Sequence, residues 1–71
     1  MARVVMNVPD ISCAHCERAI KGALEPIDGV RLVQVDIPAK RVTVEYNESA
    51  VGVEALTEAV EAEDYPVSSV Q

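Results

Sequence analysis

The apolar pattern of this chain switches between a period of two and a period of three to four, and the first switch falls on its only two cysteines and its only histidine. Val4, Met6 and Val8 alternate with Arg3, Val5 and Asn7, as in a strand with one buried face, and Pro9-Asp10 ends the run. Beyond Cys13-Ala14-His15-Cys16 the apolar positions become Cys16, Ala19, Ile20, Ala23, Leu24 and Ile27. That is the spacing of an amphipathic helix, with Glu17, Arg18, Lys21 and Glu25 on its other side. Pro26 and Asp28-Gly29 terminate it, and Ser12 is the expected cap at its start. A chain that passes from strand to helix here places its thiols in a connecting loop and a first helical turn, near the surface at one end of the fold.

The remaining sequence supplies the cover for that strand and helix. Val30 to Ile37 and Arg41 to Tyr46 read as two strands of a hairpin joined by Pro38-Ala39-Lys40. Val33, Val35 and Ile37 should share one face with Val42, Val44 and Tyr46, leaving Gln34, Asp36, Arg41, Thr43 and Glu45 to water. Val53, Leu56, Ala59, Val60 and Glu63 recur at helical spacing, with Glu54, Glu58 and Glu61 outside. Asp64-Tyr65-Pro66 breaks this second helix, and Val67 to Val70 form a short last strand that begins just after the proline. The resulting order, βαββαβ, predicts an α+β fold of the ferredoxin-like kind: a four-stranded antiparallel sheet with both helices on one face.

Composition narrows the function more than the fold. A length of 71 residues gives one domain, read as 1–71, and with no Trp and no Phe its core must be built from Val, Leu, Ile and Ala, which disfavours a cleft for a large substrate. Twelve acidic residues against six basic give a formal charge of −6, which argues against nucleic acid and anionic lipid as partners. No apolar run is long enough for a signal-peptide core or a membrane span. Two cysteines are too few for a disulfide framework in a small secreted domain, so a reducing compartment, the cytoplasm, is expected.

Two thiols three residues apart at a helix start can converge on one point. The unpaired N–H groups and the positive end of the helix dipole stabilise thiolates there, and a thiolate serves both metal binding and redox chemistry. Cys13 and Cys16 are therefore the candidate metal ligands. Cu(I) is content with two thiolates, whereas Zn(II) prefers four ligands and would have to recruit both Asp10 and His15. A residue between two such cysteines is expected to face solvent. Met6 alternates onto the core face and is read as packing. Arg18 and Lys21, beside the motif, could attract the negative charge of a dithiolate complex, or could simply be solvated. Thiol-disulfide exchange is the competing chemistry, disfavoured by the short chain and by the lack of Trp and Gly-Pro around the cysteines.

Val8, Cys13-x-x-Cys16, Ile20, Gly29-Val30, Val35, Val42-x-Val44, Leu56, Val60 and Tyr65 together resemble the heavy-metal-associated domain of small bacterial copper chaperones and of P-type metal ATPase N-terminal modules. The resemblance covers nearly the whole chain. It implies a non-enzymatic protein in which Cys13 and Cys16 bind one soft metal ion, usually Cu(I), and in which Tyr65 lies in a loop close to the metal loop. It further implies delivery to a metal-transporting P-type ATPase by a chain that is monomeric without metal, with a metal-bridged dimer as the alternative once loaded. Asp10-Ile11 replaces the usual Gly-Met, and Ile11 is expected to fill the hydrophobic socket beneath the loop. Asp64 replaces the glycine before the tyrosine, which predicts a less tightly turned helix end.

Overall fold

Six elements follow one another as β1 (Ala2–Asn7), α1 (Ala14–Leu24), β2 (Val30–Asp36), β3 (Arg41–Tyr46), α2 (Val53–Glu61) and β4 (Ser69–Val70). The structure is a computed structural model and describes residues 2–12 and 14–71. The strands make one antiparallel sheet in the order β2-β3-β1-β4, so β1 and β3 are central and β2 and β4 are its edges. This is the ferredoxin-like βαββαβ arrangement expected from the pattern.

The register explains where the core lies. Val4 pairs with Val44 and Met6 with Val42, while on the other side of β3 Val33 pairs with Val44 and Val35 with Val42. Branched side chains thus stand in rows across three strands on one face of the sheet. Cys16, Ile20 and Leu24 of α1, and Leu56 and Val60 of α2, each four residues apart within their helix, close over those rows. The opposite face carries Arg3, Gln34, Asp36 and Arg41 in solvent.

Four details differ from the expected pattern. Ile37 lies past the end of β2 in the hairpin turn and is half-buried, as is Val35, because β2 is an edge strand. α2 stops at Glu61, so Glu63 is not on its buried face but exposed in the turn that follows. The last strand is shorter than Val67 to Val70: Val67 packs half-buried against the core, and the ladder to β1 begins with Ser68 N–H donating to Asn7 O at 2.9 Å. It ends with Gln71 and Val5 exchanging bonds of 2.8 and 3.0 Å. Asp64 takes φ 66° and donates its N–H to Glu61 O at 3.0 Å, so the end of α2 is closed by an aspartate in the left-handed conformation rather than left loose.

Gly29 is the one glycine the turns require. Its φ is 97°, its carbonyl accepts from Asn47 N–H at 2.8 Å, and a Cβ there would lie 2.7 Å from the Ala50 Cβ. A register shift between Val30 and Leu32 follows at once, where the edge strand adjusts to this close approach.

Candidate metal site

The loop that leaves β1 is shaped by what it buries. Val8 and Ile11 are both fully buried, while Pro9 and Asp10 between them are exposed. Ile11 N–H donates to Val8 O at 3.2 Å, closing a turn that lets the chain dip into the core twice within four residues. Ile11 does fill the socket beneath the loop, in one apolar cluster with Met6, Val8, Cys16 and Ile20. The site is thus seated on the core.

α1 begins at Ala14, which makes Cys16 the third helical residue, with its sulfur at the N-terminal end of the helix dipole. Cys16 is 7 % exposed. Ser12 stands two residues ahead of the helix, and its hydroxyl lies 3.9 Å from the Cys16 Sγ, a loose contact across the mouth of the loop. The other sequence-nominated ligand, Cys13, lies outside the described residues.

His15 and Asp10 are both exposed, and among the described residues no three His, Cys, Asp or Glu side chains are grouped to hold a metal. Lys21 pairs with Glu17 of its own helix at 3.4 Å, an i,i+4 pair on the surface, and Arg18 is exposed. Tyr65 is half-buried and packs against the core.

One residue of the site escaped the sequence. Lys40, in the β2–β3 turn, reaches across to the loop and donates from Nζ to Ile11 O at 2.7 Å. Its own carbonyl accepts from Val8 N–H at 2.9 Å. In sequence it reads as a turn residue, and nothing in a run of Pro-Ala-Lys indicates a bond to a carbonyl 29 positions earlier.

The comparisons with known proteins agree with this geometry. The heavy-metal-associated domain matches residues 5–66. A copper chaperone CopZ of Staphylococcus haemolyticus is 40% identical over 67 residues, spanning 94% of this chain and 98% of that protein. Among solved structures, a CopZ metallochaperone superposes with a TM-score of 0.90 at 36% identity, covering 93% of this chain and 98% of its own. The N-terminal domain of a potential copper-translocating P-type ATPase from Bacillus subtilis, in its Cu(I)-loaded state, superposes with a TM-score of 0.86 at 31% identity, covering 97% and 89%. Two of these relatives are described as metal chaperones and the third as the N-terminal domain of an ATPase. Among the described residues no helix is long and apolar enough to cross a membrane. With a match that takes in 62 of its residues, both cysteines included, the chain belongs to the heavy-metal-associated domain family.

Proposed function

We propose that this chain, as a single domain over residues 1–71, carries Cu(I) in the cytoplasm and hands it to a P-type ATPase. The observation that carries the reading is the position of Cys16: a thiol in the first turn of α1, seated over the core and kept at the mouth of a loop into which Cys13 falls in sequence. The copper chaperones among its relatives support the cargo, and the copper-ATPase domain that shares its fold supports the recipient. Two thiolates satisfy a soft d¹⁰ ion without further ligands, whereas a four-ligand zinc site would need both His15 and Asp10, which are exposed, to turn inward.

A pair of thiolates near the surface can be matched by a similar pair on the recipient. The ion then passes by stepwise exchange through a three-coordinate state and is never released. Glu54, Glu58, Glu61, Glu63 and Asp64 are exposed along and just beyond α2, an acidic surface that attracts a basic patch on the recipient and loses that attraction as salt rises. The metal-free chain is a monomer on this reading, and a metal-bridged dimer would arise only where a second chain takes the place of the recipient.

The test is an anaerobic titration of the reduced protein with Cu(I) and Zn(II) against chelators of known affinity. One equivalent of Cu(I) should bind, and Cys13→Ser and Cys16→Ser should each weaken it by at least ~100-fold, more than the loss of an outer hydrogen bond to a ligand brings about. A preference for Zn(II), or a serine variant with native Cu(I) affinity, would overturn the proposal.

A further inference from the structure

Lys40 holds both ends of the loop that precedes the cysteines. Its carbonyl takes the N–H of Val8, where the chain leaves β1, and its ammonium group takes the carbonyl of Ile11, where the chain turns toward the motif. Between those two bonds lie only Pro9 and Asp10, both exposed and neither with a buried side chain to anchor it. The Ile11 carbonyl belongs to the same planar peptide unit as the Ser12 N–H, so fixing that oxygen fixes the direction in which the chain enters Ser12. Ser12 in turn lies 3.9 Å from the Cys16 sulfur and is followed in sequence by Cys13.

The backbone of Lys40 adds a second, independent sign. Its φ is 57°, in the left-handed region that a lysine occupies only at some cost and that glycine or asparagine would occupy more readily. A glycine would satisfy the turn and would still offer its carbonyl to Val8. What it could not offer is the ammonium group, and a strained backbone kept together with a 2.7 Å charge-assisted bond is a reason for the side chain to be there.

We infer that Lys40 is a positioning residue for the metal loop: its Nζ latches the Ile11 carbonyl and so holds the cysteine-bearing segment over α1 in the geometry that receives the ion. The inference rests on the proposed metal site for its purpose, but the latch itself is a property of the metal-free chain. Its ammonium group also places a positive charge on the loop, one residue in sequence ahead of Ser12, where a dithiolate complex would carry negative charge.

The experiment compares wild type with Lys40→Met, Lys40→Gly and Lys40→Arg. Amide hydrogen exchange at Ile11 and Ser12 in the reduced, metal-free protein reads the latch directly. Peptide-mapped alkylation of Cys16 reads the opening of the loop, and chelator competition reads Cu(I) affinity. Lys40→Met should speed exchange and alkylation by roughly threefold to tenfold and weaken Cu(I) by a similar factor, with Lys40→Arg restoring most of each. Lys40→Gly relieves the backbone strain, so it should match or exceed the wild type in thermal midpoint while still showing the fast exchange and weak binding. That split separates a latch from a mere stability effect. Unchanged exchange, alkylation and affinity in both Lys40→Met and Lys40→Gly would overturn the inference. Should the wild type bind no Cu(I), the proposed cargo fails, while the exchange and alkylation arms still decide the latch.

Discussion

Two loops in this molecule do the same topological work, leading a strand into a helix, and they are held in opposite ways. Residues 47–52, between β3 and α2, give one N–H bond to the Gly29 carbonyl at their start and supply the rest themselves: the Asn47 carbonyl accepts from Ala50 and Val51 N–H at 2.9 and 3.1 Å, and its side-chain oxygen accepts from Ser49 N–H at 3.0 Å. Residues 8–13, between β1 and α1, have one internal bond among the described residues and borrow the other two from Lys40. Beyond Val8, where the chain leaves β1, each loop drops one aliphatic side chain into the core, Val51 in the first and Ile11 in the second. A turn that closes on itself is fixed when the local chain folds, whereas a turn held from another element depends on that element's side chain. The loop that carries the thiols is the dependent one.

Truncating the two plugs should separate the loops most widely. Ile11→Ala is expected to cost ~2–4 kcal/mol in urea unfolding, and Val51→Ala about 1–2 kcal/mol, because the larger side chain leaves the larger cavity. Only Ile11→Ala should also speed alkylation of Cys16 in the folded protein. Equal thiol reactivity in the two variants would mean that the core, not the loop, controls access, and the contrast would collapse.

A smaller effect comes from opening the self-contained turn. Asn47→Ala removes the acceptor for Ser49 N–H but leaves the backbone bonds, so a stability loss of about 1 kcal/mol is expected. Cu(I) affinity should be unchanged, which chelator competition on the variant checks. A change in affinity would show that the α2 loop, too, supports the site.

The smallest expected change is at Ser12, which is exposed and meets the Cys16 sulfur at 3.9 Å. Ser12→Ala should alter stability by no more than about 0.5 kcal/mol, measured by urea unfolding, since the contact is long and open to water. A larger loss would make the hydroxyl a structural tie and would blunt the comparison, giving the thiol loop an anchor on α1 besides Lys40.

What could be read from the sequence was whatever period and local chemistry decide. The alternation of Val4, Met6 and Val8, the four-residue steps from Cys16 to Leu24, and the facing valines of the hairpin each follow from side-chain direction alone, and each is where the pattern put it. Ile11 was legible as the floor of the loop through the resemblance, because it stands where the family's methionine does and is as apolar. Less legible were features set by the backbone after the elements pack. α2 stops at Glu61 because the chain must turn toward β4, and Asp64 makes that turn in a conformation that its side chain does not announce, which is why Glu63 looked helical. Lys40 was invisible for a different reason: its bond spans a sequence separation that only the finished sheet brings to contact distance.

The pairing of β4 with β1 has a consequence for how this chain can be joined to anything else. β1 runs from Ala2 toward the thiol loop, and β4 runs back alongside it, with Ser69 opposite Asn7 and Val70 opposite Met6. Both described ends of the polypeptide therefore point toward the same pole, the one remote from the cysteines. A tether, a fluorescent label or a neighbouring module spliced onto Ala2 would start from that pole, and one spliced onto Gln71 would start beside Val5 at mid-strand and head away from the thiol loop.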